Sequence, residues 1–325
     1  RVAVTLPGLK AHGQGTLAPL NGQGTLDMDV QDAAQSLTWL QSWPGWGASL
    51  KPFKASGPGV LAARWEGGYA QADAPLTLQL QLPRVEWQRP QQSPWFITQT
   101  QLQLQGTPRS LQAQLQARIG QGAQSAELQT HWSANRGDMK SHDWQGQIDR
   151  LKLTSQNPKA PMPAAPGTEP TSSWLLELKQ AWAWQAHLSD LEPHLSWGPT
   201  TWQVQGPTPG TAQLLGEAGA WTAPAPGRPA RAQGAARWQD LPLSWLTVWA
   251  NTDVQNDVML QGQIQVQMDQ DLSVTASVQR SRGDLLIHTE NAAGQRWPAG
   301  LREARALLRI HNENIQTELS WDSEH

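Results

Sequence analysis

The chain has 325 residues, 38% of them hydrophobic and 16% charged, with a formal net charge of −3. That balance argues against a nucleic-acid binder, which needs a basic footprint, and the scattered Lys and Arg form no polybasic patch for a membrane surface. Cysteine is absent, which excludes disulfides, thiolate metal sites and a cysteine nucleophile.

The first residues, Arg1-Val2-Ala3-Val4-Thr5-Leu6, read as a strand, with neither an initiator Met nor a signal peptide. The chain is therefore expected to be an internal segment of a longer protein. Short strands separated by glycine follow to residue 31, with Gly-Gln-Gly-Thr-Leu occurring at Gly13–Leu17 and again at Gly22–Leu26. Neither copy completes a dinucleotide-binding G-x-G-x-x-G, so these glycines mark turns and strand starts. Asp32 precedes Leu37 and Leu40 at helical spacing, and Pro44-Gly45 ends the pattern, which predicts a short helix near 32–43.

Residues 60–154 carry the strongest signal. Leu76, Leu78, Leu80 and Leu82 alternate with Thr77, Gln79 and Gln81, and Leu102 and Leu104 with Gln101, Gln103 and Gln105. A period of two places apolar residues on one face of a strand and amides on the other. Six strands are predicted, near 60–72, 76–88, 96–105, 110–119, 124–133 and 143–154, with Gly and Pro between them at meander spacing. Residues 155–173 are rich in Pro, Ala and Thr and read as a loop, and 206–230 as a second, flexible one. Strand-like runs occupy 174–205. A second short helix is predicted near 242–250, after Pro242. Further strands follow near 258–268, 272–280, 284–290, 304–311 and 314–322, where Ile264, Val266 and Met268 again alternate with glutamine. Two β-segments, 1–154 and 174–325, thus flank the first loop.

No motif asks to be an active site. The histidines show neither i,i+4 pairing nor an H-E-x-x-H frame. His187 and His194 flank Asp190 and Glu192 and read as a polar loop rather than a metal site. No G-x-S-x-G or Walker loop occurs, so neither an enzyme nor a cofactor is expected. A sheet with one apolar face must bury it against something. This many strands outrun a sandwich, since twisted sheets rarely exceed about ten strands without curling or splitting. The expected fold is all-β with a few short helices: a long curled sheet, antiparallel or mixed, forming an apolar-lined groove suited to acyl chains.

Several runs resemble the TamB family. Gly24-Thr25-Leu26-Asp27-Met28-Asp29-Val30 leading into Leu37-Thr38-Trp39-Leu40 is similar to its strand-then-helix unit. So are Leu241-Pro242-Leu243-Ser244-Trp245-Leu246, and Arg280-Ser281-Arg282-Gly283-Asp284-Leu285 followed by Gly300-Leu301-Arg302-Glu303-Ala304. The segment His142–Ile148 before Leu151-Lys152-Leu153, with Trp174-Leu175-Leu176 after it, fits the same pattern. The resemblance implies an AsmA-like, repeating-β-groove bridge. Such a protein is anchored in the inner membrane of a Gram-negative bacterium, crosses the periplasm, and meets a TamA-like outer-membrane partner through regions outside this chain. It would shield phospholipid acyl chains in transit and support outer-membrane biogenesis, and it implies no catalytic residue. The expected groove lining is the apolar parity: Leu76, Leu78, Leu80, Leu82, Leu102, Leu104, Leu115, Ile264, Val266, Met268, Val274 and Val278.

Two other readings fit part of the sequence. An outer-membrane-type β-barrel also alternates, but its girdles are often rich in Tyr, and this chain has 19 Trp against one Tyr. A carbohydrate-binding β-protein would use Trp182, Trp184 and Trp197 as stacking platforms, though without the carboxylate pair of a glycosidase.

Overall fold

A computed structural model describes residues 1–45, 47–88, 93–122, 124–138, 142–156, 173–189, 192–225, 227–250, 256–288, 296–312 and 314–324. The chain divides into two compact units, Arg1–Pro158 and Lys159–His325. The fold is all-β, with three short helices among the described residues, and the described strand pairings are antiparallel throughout.

In the first unit, β1 (Val2–Leu6), β2 (Leu9–Thr16) and β3 (Gln23–Val30) form a meander. The two Gly-Gln-Gly-Thr-Leu copies pair with each other, Gly15 opposite Gly24. The Asp32 carboxylate then accepts the N–H groups of Ala34 and Gln35 at 3.0 and 3.1 Å and starts α1 (Ala33–Gln41). Such a cap contributes about 1 kcal/mol. A four-residue α2 (Gly47–Leu50), absent from the sequence reading, follows. Gln41 Nε2 donates to the carbonyls of Leu50 and Phe53, which fastens both helices to the next strand.

That strand is broken. β4 (Phe53–Ser56) and β5 (Gly59–Glu66) are interrupted at Gly57-Pro58, and β6 (Leu76–Leu82) and β7 (Arg84–Trp87) at Pro83. β5 pairs with β6, and β4 with β7. Proline lacks the N–H that a ladder needs, so each break falls where the sequence places one. β8 (Trp95–Gly106) runs through both halves, pairing first with β7 and then with β6. A bulge between them places Gln99 at φ 53°. β9 (Ser110–Gln121), β10 (Gln124–Arg136) and β11 (Asp143–Gln156) complete the unit, with a further bulge where His131 and Trp132 face Arg150 and Ile148. The breaks at Gly57-Pro58 and Pro83 and the bulge at Gln99 form a crease across the strands, as bulges bend the strands that carry them.

The second unit repeats the plan. β12 (Ser173–Leu178) pairs with β15 (Thr200–Gln205), and β15 with β16 (Ala212–Gly216). Beyond the crease, β13 (Trp182–His187) pairs with β14 (His194–Trp197), and β14 with β17 (Gly219–Thr222). The chain crosses the crease at 179–181, at Gly198-Pro199 and at 217–218. β18 (Arg231–Pro242) spans both halves, as β8 does in the first unit. Then come α3 (Leu243–Ala250), β19 (Met259–Met268) and β20 (Leu272–Arg282). A separate hairpin, β21 (Leu286–His288) with β22 (Arg296–Pro298), precedes β23 (Leu301–His311) and β24 (Asn314–Ser323).

The structure corrects three expectations. The loop expected over 206–230 contains two strands, β16 and β17; their runs are too short to show alternation against the surrounding Pro and Gly. The strand expected over 60–72 stops at Glu66, where the Gly67-Gly68 turn begins. The strand expected over 284–290 is reduced to Leu286–His288 within the described residues. Of the loop expected over 155–173, both ends belong to strands, β11 reaching Gln156 and β12 starting at Ser173, and 157–172 lie outside the described residues.

Aromatic rings cover glycines on neighbouring strands: Trp65 over Gly24, Trp197 over Gly219, Trp238 over Gly262 and Phe96 over Gly120. A glycine leaves a gap in the side-chain layer, and a large ring laid across it restores packing. Three of the 19 tryptophans therefore have a packing role in the sheet. A Cβ at Gly262 would meet both the Trp238 ring and the Ser277 carbonyl. Gly262→Val should accordingly lower stability by about 1–3 kcal/mol, as overpacking does, measured by urea denaturation. Unchanged stability would show that the ring is free to move.

The Arg280–Asp284 run is a structural joint. Asp284 Oδ1 accepts the N–H groups of Leu285 and Leu301 at 2.8 and 3.0 Å, and Oδ2 accepts that of Gly300 at 2.9 Å. Arg280 Nε donates to the Gly283 carbonyl at 2.7 Å. The backbone bond from Leu301, with those from Leu285 and Gly300 and the nearby Arg280 charge, outweighs the opposing effect of burial and leaves the Asp284 carboxyl below its ordinary 3.8. A depressed folded pKa stabilises above the unfolded value, and that contribution is lost as pH falls through the folded value. Thermal melts between about pH 5 and pH 2 should therefore show a loss of stability below about 3.8 that Asp284→Asn removes. A variant with the wild-type pH dependence would place the titration elsewhere.

Candidate functional site

The alternation seen in single strands is aligned across them. Register puts Val4, Ala11, Met28, Leu61, Leu80, Leu102 and Leu115 in one cross-strand row, which continues through Thr130 to Leu151. A parallel row runs Leu26, Ala63, Leu78, Leu104, Ala113, Trp132 and Ile148. Directly opposed residues lie within side-chain contact, so the face is continuous over nine strands of the first unit. At about 4.8 Å per strand, that is a surface on the order of 40 Å long. Beyond the crease the same face continues as Ala55, Val85, Ile97 and Ile119.

The opposite face is an amide ladder: Gln79, Gln103 and Gln114 in one row, Gln81, Gln101, Gln116 and Gln129 in the next. Gln105 Nε2 donates to Gln112 Oε1 at 3.4 Å along it. A shallow cleft of about 370 Å³ opens on this face, lined by Gln101, Gln103, Gln114, Gln116, His131 and Arg150. Among the predicted lining residues, only Leu115 borders that cleft.

In the second unit the corresponding rows are Gly234, Val266, Val274 and Ile310, and Ala236, Ile264, Ala276 and Leu308. Met268 faces Ala232 and Leu272. The structure therefore brings the predicted residues into two groups, one per unit, each on a single face. Leu82 is 39% exposed, and the other eleven are half-buried. Val278 differs from the rest in packing against the core of Val258, Leu260 and Leu301.

A face sealed by a second layer buries its large side chains. Among the described residues, thirteen apolar residues are buried, and seven of these are alanines. Trp245 and Val258 are the largest fully buried ones. The leucine rows thus retain access to solvent along the sheet. Two hydroxyls near the crease, Thr100 Oγ1 and Thr200 Oγ1, are buried without a hydrogen-bond partner among the described residues.

The tryptophans considered as sugar platforms are engaged internally. Trp182 Nε1 donates to the Gly198 carbonyl at 3.1 Å, and its ring meets Trp202 edge-on at 5.9 Å. Trp197 covers Gly219 and faces Trp184 across β13 and β14. His187 and His194 also pair across this hairpin, His194 Nδ1 lying 3.0 Å from Thr222 Oγ1. Asp190 lies outside the described residues, and no group of three metal-ligating side chains occurs among those described.

Sequence reasoning missed the crease and the ring-over-glycine contacts. Gly57-Pro58, Pro83 and Gly198-Pro199 each interrupt a strand-like run, and that was the available signal. No described helix is long and apolar enough to cross a membrane. No family model, curated protein or solved structure matches the chain.

Proposed function

We propose that this chain is a segment of a TamB-like lipid-transfer bridge, holding phospholipid acyl chains against its apolar face between the inner and outer membranes. The observation that carries this reading is the incompletely covered apolar face, two cross-strand rows wide, that extends over nine strands. An acyl chain needs an uninterrupted apolar wall rather than a few point contacts, and each methylene removed from water contributes about 0.8 kcal/mol. The amide face stands toward periplasmic water, solvating the sheet without a strong field. In this reading the parent protein is anchored in the inner membrane, engages a TamA-like partner at the outer membrane and supports outer-membrane biogenesis, and the chain performs no catalysis.

Photo-crosslinking side chains placed at Leu80, Leu104 and Val266 in cells should capture phospholipid, and those at Gln79 and Gln103 should not. Capture from the glutamine positions alone would overturn the assignment of faces, and capture from neither would overturn the function.

A further inference from the structure

In the second unit the apolar face is not uniform. α3 leaves β18 at Pro242 and returns over that face. Leu243 and Leu246 pack against the Val258, Leu260 and Leu301 core, which Val278 and Ala304 also join. On its other side Trp245 is 0% exposed, lies against Gly206, and donates its indole N–H to the Thr208 carbonyl at 3.2 Å. Its ring meets Trp174 of β12 edge-on at 5.4 Å. Ser244 Oγ lies 3.1 Å from Thr208 Oγ1. One helix of eight residues, about 12 Å long, therefore meets Trp174 of β12 at one end of the unit's strand order and the core built from Leu260 of β19 and Leu301 of β23 toward the other.

We infer that α3 is a fixed strap that seals this half of the apolar face, so that acyl chains in the second unit lie beyond it, against Ile264, Val266, Met268 and Val274. The inference rests on the lipid-binding reading above and adds where the lipid stops. A loosely laid lid would keep a hydrated underside; this one has its central indole fully buried, and both the Trp245 indole and the Ser244 hydroxyl are hydrogen-bonded to Thr208. The bulge that places Asp240 at φ 55° shifts the register of β18 from Trp238 to Leu241. It thereby keeps Leu241 opposite Leu260, on the face that the strap covers. Val278 and Val274 lie on the same strand and the same face, four residues or about 13 Å apart, yet of the two only Val278 joins the core against which Leu243 and Leu246 of the strap pack.

The test compares photo-crosslinking from Val274 and Val278 in the otherwise unaltered chain. Lipid capture at Val274 should exceed that at Val278 by about tenfold or more, a difference of about 1.4 kcal/mol in access. Trp245→Ala should raise capture at Val278 toward the Val274 level; Trp245→Phe, which keeps a ring over Gly206, should not. Near-ultraviolet circular dichroism and retained capture at Val266 report that the variants fold. Equal capture at Val274 and Val278 in the unaltered chain overturns the strap while leaving the lipid-binding reading intact. Capture at neither, with none at Leu80 or Leu104, overturns the lipid-binding reading itself.

Discussion

Replacing Leu78 and Leu104 together with arginine should reduce phospholipid capture from a photo-crosslinker at Leu80 by about tenfold or more, corresponding to at least about 1.4 kcal/mol. The two side chains are directly opposed on β6 and β8, in the middle of the apolar row. Both are half-buried, so the long arginine stems can lie along the sheet and carry their charges to water. The fold should therefore survive, with unchanged far-ultraviolet circular dichroism, while two adjacent cations interrupt the wall. The matched control, Gln79→Arg with Gln103→Arg, places the same charges in the same two strands on the amide face. Capture should be unaffected there. Equal loss from both pairs would mean that charge on the sheet matters, and the side on which it lies does not.

Trp245→Ala should destabilise the second unit by about 3–5 kcal/mol, the range for removing a buried large aromatic residue from a core. The indole is 0% exposed and supplies the N–H that Thr208 accepts, so the cost includes an unmet carbonyl as well as a cavity. Trp321→Ala provides the contrast. Trp321 is 59% exposed on β24, and its loss should cost less than about 1 kcal/mol. Urea denaturation checks both. A two-unit chain can unfold in more than one step, so each variant is compared with the transition to which its unit contributes. Similar costs for the two tryptophans would remove the distinction between strap and edge.

What the sequence revealed follows from what a period of two can encode. Leu76 to Leu82 and Ile264 to Met268 announced strand, face and polarity at once, because each is an unbroken run within one strand. Asp32 and Pro242 likewise announced helix starts, through side-chain chemistry acting within a few residues. The sharing of one row by Leu61, Leu80, Leu102 and Leu115 depends on register between strands, which turn lengths set and no single run contains. The same holds for Trp238 over Gly262, whose partners lie on different strands. β16 and β17 escaped notice because four- and five-residue strands split by a crease do not repeat often enough to show a period. Val278 looked like any other alternating residue. Its separate fate comes from the core of Val258, Leu260 and Leu301, which Leu243 and Leu246 of α3 also join.

The most direct measurement is the phospholipid content of the purified chain after incubation with phospholipid vesicles and separation by size-exclusion chromatography. Lipid phosphate co-eluting with folded protein, and lost when Leu78 and Leu104 are replaced by arginine, is the expected result. Folded protein that elutes free of phosphate would contradict a lipid-holding face.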